Sequence, residues 1–350
     1  MNWIDSIMKG MRSALYRRPL NSSTEIRLTR LCTQRCRQCS VYERMTTPPS
    51  MTLEQFQIIA QRLRDYGAYI GFISGGEATL VPHLAEILLI AKKTFSIATT
   101  LVTGLYNKSE IIYKIGRLAL DHRINIQTSL DGLGALGDSL RGVKDHAATV
   151  LKHMKWLAEH RNGSGPLLYA NIVLNNLNLE QVPELICRIR ELDWKVTIGL
   201  YHTLTATTRK DDALQLQPGK RLEKLLKFLE GNPDIMNLDA FIRGIGPFVE
   251  GRHRKLCAFV DSPILSTRTT IMENGDVHLC HGAPIGNIFV SSLQKIFSER
   301  PYRKRLQEYR HCSGCWTTCY TQRYLLVHPR SWREVKDHWK KVNATRGGKS

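Results

Sequence analysis

Between Thr24 and Leu200 the spacing of apolar residues keeps switching between two periods. Short runs rich in β-branched and apolar residues read as strands: EIRLTR (25–30), AYIGFIS (68–74), ATTLVTG (98–104), INIQTSL (124–130), LYANIVL (168–174) and KVTIGLY (195–201). Between them, apolar residues recur every three or four positions in stretches that begin near Thr52, Pro82, Ser109, Asp145 and Leu179. Thr52 followed by Gln55 has the form of a capping box and predicts a helix start there. Regular alternation of strand and helix predicts parallel strands joined by right-handed crossovers. Six such units suit an α/β fold of the partial (β/α)6 TIM-like barrel kind, with chemistry at the C-terminal ends of the strands.

The rhythm changes after Gly251. TTIMENGDVHLC (269–280) predicts a hairpin that turns at Asn274-Gly275. SLQKIFSERPYRKRLQEY (292–309) predicts a helix that Pro301 must interrupt or restart. The expected organisation is therefore an amphipathic basic helix over 1–20, a core barrel over 21–250, a small cysteine-rich domain over 251–325 and a basic C-terminal tail or helix over 326–350.

Composition narrows the classes. With 42% hydrophobic and 23% charged residues the chain is that of a globular protein. No uninterrupted apolar run is long enough to span a bilayer, and the N-terminus lacks the pattern of a secretory signal, so the expected compartment is the cytoplasm. The net charge is +19, and 13 Lys or Arg against three acids lie beyond residue 299. Trp3, Ile4, Ile7, Met8, Met11 and Leu15 fall at helical spacing among basic residues, as do Trp332, Val335, Trp339 and Val342. Such stripes read as helices packed on the barrel or as peripheral attachment to an anionic membrane. No recognised nucleic-acid-binding module supports a nucleic-acid partner.

Nine cysteines in a reducing compartment argue against a disulfide framework. Cys187 stands alone in a helical pattern and is expected to be a buried structural thiol. The others form two groups. Cys32, Cys36 and Cys39 lie in the loop after the first strand, spaced CxxxCxxC. Three thiolates on one tight loop can hold three corners of a 4Fe–4S cubane and leave the fourth iron open. A structural zinc site, the alternative, usually asks for four ligands as paired CxxC units. Ser74-Gly75-Gly76-Glu77 ends the second strand; its glycines let backbone approach a ligand, and Glu77 with strand-end carbonyls can take an ammonium group. Thr128-Ser129-Leu130-Asp131-Gly132 ends the fourth strand and is followed by Leu140-Arg141-Gly142.

In these motifs the chain resembles the radical S-adenosylmethionine (SAM) superfamily. The resemblance implies SAM chelated at the open iron, with Gly75, Gly76 and Glu77 beside its ammonium. Ser129 and Arg141 match the serine and arginine that hold its carboxylate in the peptide-modifying and sulfatase-maturing branch. Simpler roles for the last motif are a plain turn at Asp131-Gly132 and surface charge at Arg141. At Gln38 many relatives carry an aromatic or apolar residue.

The second group is Cys257, Cys280, Cys312, Cys315 and Cys319, with Gly286-Asn287-Ile288 between. It resembles the SPASM/twitch extension of the same superfamily, so the resemblance spans roughly Glu25 to Leu325. Five cysteines instead of seven imply one auxiliary 4Fe–4S cluster, held by Cys257, Cys280 and Cys315 with either Cys312 or Cys319. Zinc also accepts four thiolates. His278 and His281 are expected beside the site rather than as ligands. What the resemblance implies is reductive cleavage of SAM to a 5′-deoxyadenosyl radical and hydrogen abstraction from a substrate, with an electron donor such as flavodoxin or ferredoxin. A peptide or protein side chain is the first substrate class; a small-molecule or lipid-linked substrate is the alternative. A non-catalytic, metal-stabilised nucleic-acid-binding protein is a reading of another class.

Overall fold

The computed structural model describes residues 19–43, 49–163, 165–203, 208–261, 267–327, 331 and 333–336. The expected N-terminal helix, with Trp3, lies outside the described residues, as do Trp332 and Trp339. In chain order the elements are β1 (Asn21–Arg27), α1 (Leu53–Tyr66), β2 (Ile70–Ser74), α2 (Leu84–Thr94), β3 (Ala98–Val102), α3 (Ser109–Asp121) and β4 (Asn125–Ser129). There follow α4 (Gly134–Arg141), α5 (His146–Glu159), β5 (Leu168–Leu174), α6 (Val182–Glu191), β6 (Lys195–Leu200), α7 (Lys220–Leu229) and α8 (Asp239–Val249). The last part holds α9 (Ala258–Asp261), β7 (Thr267–Ile271), β8 (Asp276–His278), β9 (Gly286–Asn287), α10 (Leu293–Ser298), α11 (Arg300–Arg310) and α12 (Thr321–Val327). All six expected strands of the core are present in the expected β/α order.

These elements form two compact units. The first comprises Met1–Cys32, Val41–Val102 and Leu256–Gly314. Within it β1 pairs in parallel with β2 (Thr24 beside Gly71, Arg27 beside Ser74), and β2 pairs in parallel with β3. On its other side β1 pairs in parallel with β7, which turns through the hairpin into antiparallel β8 and β9. The turn falls at Asn274-Gly275 as expected, and Gly275 takes a φ of +85° that a side chain would strain. Alternation along the strands sends Ile26, Leu28 and Ile73 to a face covered by Phe56, Ile59, Leu63, Leu84, Ile87 and Leu88, all buried. The opposite face carries charge: Glu25 accepts from Ser74 (2.9 Å), Arg27 (3.1 Å) and Arg268 (2.9 Å). The capping box forms in full, since Gln55 N donates to Thr52 Oγ1 (3.2 Å) and Thr52 N donates to Gln55 Oε1 (2.9 Å). Pro301 restarts the predicted helix rather than ending it: α10 stops at Ser298 and α11 begins at Arg300, with the proline in its first turn.

The second unit comprises Thr33–Ser40, Thr103–Lys255 and Cys315–Ser350. β4, β5 and β6 are parallel neighbours, with Ser129 opposite Asn171 and Asn171 opposite Thr197. Their polar face is joined by hydrogen bonds from Tyr169 to Gln127 (3.0 Å) and from Thr197 to Asn171 (3.0 Å). The apolar face rests on Val150, Met154, Leu185, Ile189 and Trp194. Cys187 departs from expectation. Val182, Leu185, Ile186 and Ile189 take the core face of α6, and Cys187 turns away half-buried, its Sγ between Arg190 and Glu191. No helix among the described residues is long and apolar enough to cross a membrane.

Candidate functional site

The loop that carries the first three cysteines is fastened by main-chain hydrogen bonds. In the first unit the end of β1 continues along the end of β2: Leu28 N donates to Ser74 O (2.8 Å), Gly76 N to Thr29 O (2.6 Å) and Glu77 N to Leu31 O (2.7 Å). A Cβ on Gly76 would fall 2.2 Å from Leu31 O, and one on Gly75 would fall 3.0 Å from Thr29 O. The two glycines therefore admit the chain's own backbone immediately before Cys32. Glu77 is buried, and its Oε1 accepts from Thr79 N (3.1 Å) and the Thr79 hydroxyl (2.8 Å), capping a short 3-10 turn.

In the second unit the loop meets the C-terminal end of α4. Arg35 N donates to Arg141 O and Arg37 N to Leu140 O, both at 3.0 Å. Gly142 caps α4 in the left-handed region at φ +63°, and a Cβ there would stand 2.4 Å from Arg35 O. The eight-residue α4 carries Gly134 and Gly137, and its short, glycine-bearing pattern gave no period to detect. Its presence turns Leu140-Arg141-Gly142 into a helix terminus that holds the cysteine loop.

Arg141 is therefore not surface charge. It is 7% exposed, with Nη2 2.5 Å from Asp131 Oδ2 and Nη1 3.8 Å from Cys36 Sγ. Burial pulls the guanidinium's pKa down, but Asp131 and Cys36 outweigh it and hold the group charged. Burial pushes the Cys36 thiol up, and Arg141 is the largest opposing influence. Asp131 is also more than a turn residue. It is buried, its Oδ1 accepts from Val173 N (2.8 Å), and its backbone carbonyl accepts from Asn178 Nδ2 (2.9 Å). Gln38 Nε2 donates to Asp131 Oδ2 at 3.2 Å, which gives the polar residue at this loop position its work. Asp131 is the residue that motif reading undervalued; a polar Gln38 beside the last cysteine was the available signal. Ser129 ends β4, half-buried on the polar face. His146 is buried against Tyr106, and burial, then Arg141, lower its pKa to about 3, so its ring stays neutral.

The remaining cysteines divide between the units. In the first, Cys280 N donates to the Tyr309 oxygen (3.0 Å), whose hydroxyl donates to His281 O (3.0 Å). Burial raises the Tyr309 pKa, keeping that donor protonated. Cys257 N donates to Asp261 (3.2 Å), and Cys312 Sγ accepts from Gly314 N (3.4 Å). His281 packs edge-on against Tyr309, and burial lowers the pKa of both His278 and His281. In the second unit Cys315 Sγ lies 3.8 Å and 3.9 Å from the hydroxyls of Thr317 and Thr321. Cys319 is half-buried.

All nine cysteines are unbridged. Among the described residues no three Cys, His, Asp or Glu side chains converge as ligands of a single ion do. A cubane makes a different demand, because each thiolate meets its own iron. The loop fits such a group on two counts. A buried guanidinium supplies positive charge beside Cys36, and Thr33 Oγ1, Gln38 Oε1 and Arg141 Nε are buried without a hydrogen-bond partner among the described residues.

Comparison with known proteins finds two family matches along the chain. Residues 26–189 match the model of the Radical SAM superfamily, and residues 263–319 match that of the iron-sulfur cluster-binding domain SPASM. The chain is similar to the antilisterial bacteriocin subtilosin biosynthesis protein AlbA of Bacillus subtilis, 26% identical over 285 residues, which cover 80% of this chain and 60% of that protein. It is 25% identical to the sporulation killing factor maturation protein SkfB of the same organism over 47% of this chain and 38% of that one. The chain thus spans less than two thirds of either relative. Its fold is shared with Streptococcus suis SuiB in the crystal structure with precursor peptide SuiA, at a TM-score of 0.64 and 18% identity, over 86% of this chain and 70% of that one.

Proposed function

From the premise that the chain belongs to the radical SAM superfamily and carries a SPASM-type iron–sulfur domain, we propose that it is an enzyme that modifies a peptide side chain by radical chemistry. The observation that carries this is the CxxxCxxC loop, fastened by backbone at both motifs and faced at Cys36 by the buried Arg141. Cys32, Cys36 and Cys39 would hold a 4Fe–4S cluster. Bound there with SAM, it supplies the electron that yields a 5′-deoxyadenosyl radical able to abstract a substrate hydrogen. Ser129 and the unpartnered Nε of Arg141 would hold the SAM carboxylate, and Gly75, Gly76 and Glu77 would line its ammonium. Cys257, Cys280 and Cys315, with Cys312 or Cys319, would hold one auxiliary cluster. The peptide substrate class is supported by the bacteriocin-making and killing-factor-maturing relatives and by the SuiB–SuiA complex. These same relatives favour the peptide class over the small-molecule and nucleic-acid readings. An electron donor such as flavodoxin or ferredoxin is part of the proposal. For the basic C-terminal segment, Glu334, which accepts from Ala240 N (2.8 Å) and pairs with Arg243, supports packing on α8 rather than attachment to an anionic membrane.

The test is iron and product. Anaerobically reconstituted protein should hold about eight irons per chain from two cubanes of four, and it should convert SAM to 5′-deoxyadenosine. Replacing Cys32, Cys36 and Cys39 together by Ala should remove about half the iron and all of the product. Stoichiometric zinc without iron in the wild type would overturn the proposal.

A further inference from the structure

Arg141 sits between an acid and a thiol, and the order of that arrangement has consequences. The Asp131 carboxylate is pinned from separate elements: Val173 N at the end of β5 holds Oδ1, and Gln38 of the cysteine loop holds Oδ2. Against this fixed anion the guanidinium at the end of α4 places Nη2 2.5 Å away. The same planar group then directs Nη1 to Cys36 Sγ at 3.8 Å. A guanidinium is a rigid fork, so fixing one nitrogen fixes the direction of the others. Asp131 and Arg141 are 1% and 7% exposed. Water screens their charges little, and each is felt at the sulfur.

We propose that the Asp131–Arg141 pair tunes the reduction potential of the cluster that Cys36 would hold. Arg141 acts as a donor and positive charge at the thiolate, and Asp131 acts as the fixed negative charge that partly offsets it. The inference rests on the reading that Cys36 ligates an iron. One electron enters the cluster on reduction and makes it more negative, so a nearby cation favours the reduced state and a nearby anion opposes it. The two members of the pair therefore have opposite signs of effect. This assigns Arg141 a duty toward sulfur in addition to the one toward the SAM carboxylate.

The experiment is an EPR-monitored redox titration of reconstituted full-length protein without SAM. The relevant signal is identified as the one lost in Cys36→Ala. Arg141→Gln should make reduction about tenfold less favourable, a potential lower by about 59 mV for one electron. Asp131→Asn keeps the acceptor for Val173 N but removes the charge, and should raise the potential by a similar amount. A general loosening of the loop would move both variants the same way, so shifts of one sign, or none, overturn the inference. If Arg141→Gln fails to hold its cluster, Asp131→Asn decides alone: a rise supports the pair, and an unchanged or lower value refutes it. SAM affinity is measured in the same variants, and an Arg141→Gln protein with weakened SAM binding but the wild-type potential also refutes it. A wild type that builds no cluster at Cys36 refutes the functional reading itself, a result distinct from an unshifted potential.

Discussion

Glu25 shows how a single side chain ties stability to pH. Burial alone would raise its pKa, but Arg27, Arg268 and the Ser74 hydroxyl together bring it from 4.5 down to about 2. A carboxylate held that far below its ordinary value adds on the order of 3 kcal/mol to stability at neutral pH. Because the folded value is the lower one, that contribution is complete above about pH 4.5 and drains away as pH falls toward 2. Glu25→Gln should therefore melt lower at pH 7 and lose less on acidification than the wild type, measured by thermal unfolding between pH 7 and pH 3. Equal slopes in that range would show that Glu25 is not the group responsible. None of this was legible in the sequence. Glu25 sits in a strand-like run, but its partner Arg268 is more than two hundred residues away, and only the pairing of β1 with β7 brings them together. The thiols and the strand-end motifs were legible because their chemistry is written in adjacent letters. Asp131 was written there too, but its partners, Val173 and Gln38, belong to other segments.

Elements were recovered where a local rule governs them. The box at Thr52, the turn at Asn274-Gly275 and the restart at Pro301 each follow from contacts within a few residues. α4 escaped because two glycines and a length of eight residues leave no periodic signal, and β7 escaped as a neighbour of β1 because strand partnership is non-local. The C-terminus of α4 allows a clean comparison with that of α1. Gly142 and Gly67 both cap in the left-handed region, at φ +63° and +87°. A Cβ on Gly67 meets nothing within 4 Å, whereas one on Gly142 meets the Arg35 carbonyl at 2.4 Å. Gly67→Ala should cost only the backbone strain, roughly 1–2 kcal/mol. Gly142→Ala should cost that plus overpacking of about 1–3 kcal/mol, and should lower iron content because the displaced carbonyl belongs to the cysteine loop. Chemical denaturation with iron analysis of the two variants checks both halves. Equal losses in the two variants would mean that the loop is not seated on α4.

For the molecule as a whole, the charge of +19 gathers toward one end of the sequence, and its meaning depends on what that end touches. Among the described residues near the C-terminus, Glu334 is occupied by Ala240 N and Arg243 of α8. Packing then predicts little binding to anionic vesicles even at low salt, and Glu334→Gln should lower the melting temperature by an amount equivalent to about 0.2–1 kcal/mol. A membrane role predicts the reverse: vesicle binding worth about 1 kcal/mol per basic residue near the surface, screened away by salt. Co-sedimentation at two salt concentrations separates the outcomes. The fastening of the cysteine loop by main-chain bonds bears on how such a protein is assembled and repaired. Ordering backbone costs about 1–2 kcal/mol per residue, and the main-chain donors of Gly76, Glu77, Arg35 and Arg37 offset part of that cost without using the thiols. A zinc finger, by contrast, is unfolded until its ion arrives. If Cys32, Cys36 and Cys39 hold the proposed cluster, a loop fastened this way should keep its backbone when the inorganic part is lost. Loss of iron in air and loss of the fold should then be separate events, which following iron content and far-UV circular dichroism together would separate.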